Sequence, residues 1–371
     1  MSSADAYRRL GRNLFGASDE TVADLACRRG WVTAEQLEAC RAQGGSLTQR
    51  LLERNLLSAR QLLSLIQIRN GELRWCRRCD RNFDPRLSAD CPFCAGGVGA
   101  IGRFAVVREV ARGGMGLVLE AIDPDSNRRV ALKLIPEREA PPEFLERLRR
   151  EARIAGRLDH PHIVRIHETG VARDPAGEPM HYVAMDFVEG RTLAQIQREG
   201  GTDRAALLAI FRTVVAATAY AHAQGVWHRD LKPSNVLVEA GGRVVLADFG
   251  LARDAEETRL LTPSGAMMGT ACYMAPEQVL GVTRRIDART DVWALGVMLY
   301  EILAGRLPFV AGAPGQLLES ILKEDPAPLP GALGALSLRA LTKDPPGRPR
   351  DAGVLERELD AALKSDAAAT R

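Results

Sequence analysis

Lysine is scarce in this chain. Of its 50 basic residues only Lys133, Lys232, Lys323, Lys343 and Lys364 are lysines. Where arginine is the default, a remaining lysine marks a position suited to a compact ammonium. Long apolar runs are also missing: no stretch approaches the ~18 uninterrupted apolar residues of a membrane span. The first residues, MSSADAYRRLGRNLFG, lack the apolar centre of a secretory signal. Charge of one sign is missing as well, since 50 basic against 47 acidic residues leaves +3. That balance makes no case for nucleic acid or an acidic membrane as partner. The expectation is a cytoplasmic protein whose thiols stay reduced.

With 371 residues and 46% hydrophobic content, the chain is long enough for two or three domains with real cores. Residues 19–69 read as short amphipathic helices. Thr33 with Gln36 has the capping-box spacing. The segment repeats itself at a shift of 25 residues, Gly30-Trp-Val-Thr-Ala-Glu-Gln-Leu37 returning as Asn55-Leu-Leu-Ser-Ala-Arg-Gln-Leu62. Glycine or asparagine after one helix and Thr or Ser before the next spell helix–turn–helix. This pattern resembles the paired-helix repeats at the N-terminus of type II secretion ATPases, some of which bind cyclic di-GMP. Those binders have an arginine nine residues before the glycine, where this chain has Thr21 and Ser46. Residues 1–70 are therefore expected to be an α-helical docking or homodimerising module. Its leucine-rich faces (Leu51, Leu52, Leu56, Leu57, Leu62, Leu63) are hard for so short a segment to bury alone and are expected to pack on each other, on the rest of the chain or on another chain.

Residues 71–99 hold two C-x-x-C pairs, Cys76 with Cys79 and Cys91 with Cys94, eleven residues apart. Four thiolates so spaced can enclose one tetrahedral zinc. A closed site of this kind has no open position for chemistry, so the reading is a structural zinc-ribbon-like staple. Arg74, Arg77, Arg78, Arg81 and Arg86 raise nucleic acid as an alternative. Gly96-Gly97-Val98-Gly99 reads as a hinge.

From residue 100 the pattern changes. Phe104–Val110, Leu117–Ala121 and Val130–Ile135 are apolar runs between turn residues, which predicts three strands. Helical stretches follow, including Phe144–Leu158, Ala205–Ala223 and Val292–Leu303. A strand-rich front and a helix-rich back predict a bilobal α+β domain over 100–363, with a tail at 364–371.

Between the first two strands stands Ala111-Arg112-Gly113-Gly114-Met115-Gly116-Leu-Val118. Glycines there let backbone N–H groups approach phosphate oxygens. Lys133 lies mid-strand, where a buried ammonium needs a counter-ion, and Glu151 is the candidate. Then come His228-Arg-Asp230-Leu-Lys232-Pro-Ser-Asn235 and Asp248-Phe-Gly250. With these the chain resembles the bacterial branch of the eukaryotic-like serine/threonine protein kinases, over about residues 101–360.

The resemblance implies Mg-ATP (or Mn-ATP) as cofactor and Ser/Thr hydroxyls of proteins as acceptors. It implies Lys133 on the α- and β-phosphates, oriented by Glu151, and Asp230 on the substrate hydroxyl proton. Lys232 would meet the γ-phosphate, and Asn235 and Asp248 would hold the metal. Residues 111–116, Val118 and Ala131 would line the nucleotide. Met185, Asp186 and Val188 would form the adenine hinge, Met185 as gatekeeper. Gly269–Glu277 would seat the acceptor, with Thr270 near Asp230. Asp291 matches a structural aspartate and Arg348 the partner of Glu277. Ala111 departs from the family's first loop glycine. Because Arg229 precedes Asp230, a phosphate on Thr258, Thr262 or Ser264 is expected to activate the enzyme. The other reading is a catalytically weak kinase acting as a scaffold through its front modules. Retention of Lys133, Asp230 and Asp248 favours the enzyme.

Overall fold

The computed structural model describes residues 19–43, 46–70, 73–76, 82–83, 91, 100–113, 116–137, 141–173, 179–249 and 271–369. They fall into two compact units. The first comprises residues up to Val110 together with Leu119–Arg129, and the second Ala111–Val118 and the chain from Val130 onward.

Among the described residues the first unit has four helices ahead of its strands, α1 Asp19–Arg28, α2 Ala34–Arg41, α3 Leu47–Glu53 and α4 Ala59–Arg69. The 25-residue repeat is visible in their ends. Thr33 and Ser58 each cap a helix, accepting the N–H of Gln36 and Gln61 at 3.2 Å, while the glutamine side chains return to the cap N–H. Gly30 and Asn55 occupy the same place in each copy, both at positive φ (68° and 54°). The leucines do not wait for another chain. Leu51, Leu57 and Leu62 are buried with Val22, Leu37, Leu47 and Leu65, and Leu52 and Leu56 pack against that cluster. Leu63 stays exposed. Of the partners open to these faces (each other, the kinase domain or another chain), the first is the one seen: two helix pairs bury their stripes on each other.

Strands β1 Arg74–Trp75 and β2 Asn82–Phe83 form a short antiparallel ladder. It is tied to the helices by Arg29, whose guanidinium lies over the rings of Trp31 and Trp75 and donates to Asn82 at 2.9 Å. Then follow β3 Ala100–Ile101, β4 Phe104–Gly113 and β5 Gly116–Asp123, adjacent in that order. Buried Glu120 on β5 meets Arg108 and Arg129, at 2.8 and 2.7 Å.

In the second unit β6 Arg128–Pro136, β8 Pro179–Asp186 and β7 Ile166–Arg173 lie side by side and antiparallel. Helix α5, Pro142–Ala155, has proline at its first position and apolar Leu145, Leu148, Ala152 and Ala155 at helical spacing. Leu145, Leu148 and Ala152 pack with Ile135, Val183 and Met185 of the sheet, and Ala155 belongs to the large helical cluster. A three-stranded sheet of β9 Gly190–Thr192, β10 Val236–Glu239 and β11 Val244–Leu246 follows, with β10 in the middle.

The remainder is helical: α6 Leu193–Glu199, α7 Arg204–Ala223, α8 Pro276–Val279, α9 Ala288–Ala304, α10 Pro314–Lys323, α11 Gly331–Ala340 and α12 Ala352–Ala369. Helix α7 is long and apolar enough to cross a membrane by length and composition. Its Phe211, Val214, Val215, Ala217 and Ala221 lie in the largest cluster of buried side chains, with residues of α9, α11 and α12. Helix α12 runs six residues past the expected domain end at 363. Its Asp366 accepts the N–H groups of Ala332 and Leu333 at 2.8 and 3.3 Å, capping α11, whose own N-cap residue is Pro330.

Candidate active site

The segment between α7 and β10 carries a chain of side-chain and backbone polar contacts. His228 and Arg229 donate their backbone N–H groups to the two carboxylate oxygens of Asp291, both at 2.7 Å. Asp291 sits in the first turn of α9, in helix otherwise buried nearly all round. Such a carboxylate is costly unless satisfied, and a third donor is His222 of α7 at 2.9 Å. His222 is itself fixed by the N–H of Ala352, which donates to Nδ1 at 3.1 Å. The proton therefore lies on Nε2, facing Asp291. Burial would raise the Asp291 carboxyl, but the His222 hydrogen bond, the nearby imidazoles and the His228 N–H hold it below the usual carboxylate range.

These bonds bend the chain at Arg229, which has φ of +64°, and deliver Asp230 beyond it. Lys232 Nζ meets Asp230 Oδ2 at 2.7 Å, and Asn235 Nδ2 donates to the Asp230 carbonyl at 2.8 Å. With the amide nitrogen so engaged, Asn235 Oδ1 is left as an oxygen ligand. The Asn235 carbonyl in turn accepts from Ala247 N at 2.9 Å, which anchors the strand leading to Asp248. Below, Phe249 packs at 4.6 Å on the His228 ring, and His228 Nε2 meets the Ala247 carbonyl.

Asp248 is also at positive φ, +63°. Its carboxylate meets Lys133 Nζ at 2.9 Å. Burial pushes the Asp248 carboxyl up, yet the Lys133 ammonium, with His228 and Lys232, brings it below the ordinary range. The counter-ion expected for Lys133 was Glu151, and here the structure differs. Glu151 Oε1 is bonded to the Arg229 guanidinium at 2.6 Å. The physical reason is a choice of carboxylates: a buried ammonium takes the one that Asp248's backbone turn aims at it, and Glu151 on α5 meets a guanidinium instead.

Around this centre, Met185 is buried in the cluster against α5, and Ala131 and Val188 pack on the same cluster. Asp186 is exposed, its carboxylate 2.8 Å from His167 Nε2. Gly116, at φ +116°, admits no side chain, because a Cβ there would stand 2.1 Å from the Leu134 carbonyl. Ala111 and Val118 lie on β4 and β5. Arg112 and Gly113 end β4. Gly114, Met115, Gly250, Thr258, Thr262, Ser264 and Thr270 lie outside the described residues. Glu277 and Arg348 form a buried two-armed pair at 2.8 and 2.9 Å, joined by Thr290 Oγ1.

Cys76 follows β1 and Cys91 is buried, whereas Cys79 and Cys94 lie outside the described residues. Among the described residues no three His, Cys, Asp or Glu side chains gather as a metal site. His222 and Gln278 were missed from sequence. Neither stands in a recognisable motif, and their partners are 69 and 49 residues away.

Comparison with known proteins agrees with this geometry. The model of the protein kinase domain matches residues 104–329. Serine/threonine-protein kinase PknB of Mycobacterium tuberculosis is 37% identical over 267 residues, covering 69% of this chain and 42% of its own. PknA of the same species is 39% identical over 236 residues, covering 63% and 54%. PknB of Mycolicibacterium smegmatis is 37% identical over 267 residues, again covering 69% and 42%. The chain thus spans about half the length of these relatives. A strand-borne Lys133 joined to Asp248, a catalytic loop bent onto Asp291, and a matching stretch of 226 residues lead to one conclusion: the chain belongs to the protein kinase family.

Proposed function

We propose that the chain is a serine/threonine protein kinase that transfers the γ-phosphate of Mg-ATP to Ser/Thr hydroxyls of proteins. The observation that carries this reading is the convergence of Asp230, Lys232, Asn235, Lys133 and Asp248 through contacts of 2.7–2.9 Å. Asp230 would receive or orient the acceptor's hydroxyl proton, with Lys232 beside it for the transferred phosphoryl group. Lys133 would hold the other phosphates. Asn235 Oδ1 and the Asp248 carboxylate are hard oxygen donors and fit a magnesium ion. The cation, when bound, supplies charge neutralisation at the phosphates. Positioning and electrostatics are what the protein itself must provide.

Asp230→Asn and Asp248→Ala are each expected to lower phosphate transfer by ~10²-fold or more while circular dichroism stays unchanged. Either variant autophosphorylating at the wild-type rate would falsify the assignment. Mass spectrometry of the same wild-type reaction is expected to find phosphate on Thr262 or Ser264. Phosphate there would add about −1.5 to −2 charges, which arginine can pair with.

The front segments are read as accessories of a cytoplasmic enzyme. What supports a structural zinc at Cys76, Cys79, Cys91 and Cys94 is their spacing, with the β1–β2 ladder reversing the chain just after Cys76. For the four helices, a self-buried core supports a docking module that recruits a protein partner. Homodimerisation, the other reading, has exposed Leu63 as its remaining leucine argument.

A further inference from the structure

Gln278 lies in α8, the short helix that closes the segment expected to seat the acceptor, and its side chain is turned inward. Its Oε1 accepts the N–H of Ala275 at 3.0 Å, and its Nε2 donates to the carbonyl of Arg229 at 2.8 Å. The amide orientation is unambiguous, because a backbone N–H can only donate and a carbonyl only accept. That carbonyl belongs to the peptide joining Arg229 to Asp230. The other edge of this peptide, the Asp230 N–H, donates to His228 Nδ1 at 3.3 Å. Arg229 has its own N–H on Asp291 and φ of +64°, a conformation uncommon for a side-chain-bearing residue. A small cavity lined by Arg229, Asp230, Tyr273, Met274 and Gln278 adjoins the peptide. Without the glutamine, the peptide has both a reason to turn and room to do so.

We infer that Gln278 is a positioning residue for Asp230: its amide couples the acceptor-seating turn at Ala275 to the Arg229–Asp230 peptide and so sets the aim of the catalytic carboxylate. The inference rests on the kinase reading. It adds a direct link by which the seating of that turn is felt at Asp230. Asp291 grips the catalytic loop from α9, and Gln278 grips it from the side where substrate would arrive.

The test uses the full chain as wild type, Gln278→Met and Gln278→Glu, with Mg-ATP and a mixture of Ser/Thr acceptor peptides. Met keeps the volume and removes both hydrogen bonds. It is expected to lower kcat about tenfold or more, the scale of a misaimed reacting group, with KM for ATP within about twofold. Ionised Glu still accepts from Ala275 but has no proton for the Arg229 carbonyl, and protonated Glu has one. Asp230, Glu277 and Asp291 nearby favour the protonated form, while Arg229, Arg289 and Arg348 oppose it. The kcat of Gln278→Glu relative to wild type should therefore rise as pH falls from about 8 to 6. Hydrogen exchange at residues 228–231 is read alongside and should quicken in Gln278→Met whatever the activity. Wild-type kcat in Gln278→Met overturns the inference, as does a fall in kcat with no acid recovery in the Glu variant. If the wild-type chain transfers no phosphate, the kinase reading fails. The positioning role then stands or falls on the exchange data, unchanged protection sinking it.

Discussion

Among the described residues four non-glycines have positive φ: Asn55, Asn127, Arg229 and Asp248. The two asparagines sit in turns, where their short polar side chain makes the conformation tolerable. Arg229 has no such ease and costs on the order of 1–3 kcal/mol, while Asp248, with a short polar side chain of its own, is strained less. Both are held by partly buried polar contacts, Arg229 through Asp291 and Asp248 through Lys133. The Asp291 carboxyl titrates below its unfolded value of about 3.9. A depressed carboxyl contributes stability that is present above the unfolded pKa and lost as pH falls through the folded one. Urea unfolding of the wild type should therefore lose free energy below about pH 4, and Asp291→Asn should show a shallower acid dependence from a lower starting stability. Equal acid slopes in the two proteins would remove Asp291 from the account. The residues that matter most here were legible as letters, since Asp230, Asn235 and Asp248 stand in ordered motifs. Their pairing was not: Lys133 chose between two carboxylates, and that choice depends on backbone dihedrals which no spacing rule reports.

At the scale of elements the reading from sequence went furthest where structure is local. The strand predicted at Val130–Ile135 runs Arg128–Pro136, and the helix at Ala205–Ala223 begins one residue earlier. The Thr33 capping box formed as its spacing implied, and the second copy formed the same box at Ser58. Apolar period and cap chemistry are properties of neighbours along the chain, so they show in the letters. The cap of α11 does not, because it comes from Asp366, 34 residues away. That distance explains why residues 364–369 read as a tail although they continue a helix. Removing a cap carboxylate typically costs ~1 kcal/mol. Asp366→Ala should lose about that much in urea unfolding, Asp366→Asn less, and phosphate transfer should stay near wild type. By contrast the exposed Arg212–Asp360 pair between α7 and α12 should contribute little. A cost at Asp366 no larger than at Asp360 would count against the cap.

For the whole molecule, the family match begins at residue 104, so the helices and the cysteine segment are additions that the match does not cover. Among the described residues, the buried clusters of the second unit draw on none before Ala131. The purified chain should contain about one zinc. Cys76→Ser should release it while the melting of the kinase domain is unchanged; a chain free of zinc under reducing conditions would remove the site.

The catalytic groups also carry a consequence beyond their chemistry. Lys133 with Asp248, Lys232 with Asp230 and Arg229 with Glu151 are three cations facing three carboxylates. Their formal charges sum to zero, so at a Debye length these six groups present neither attraction nor repulsion. A polyanionic nucleotide is not drawn to them from a distance. Were Mg-ATP to bind here, Lys133 and Lys232 would be the groups to hold its phosphate oxygens and Asp248 the one to hold its cation, so each would have to leave its present partner. On that reading nucleotide and cation would be needed together, because either one alone would leave a freed charge without its partner.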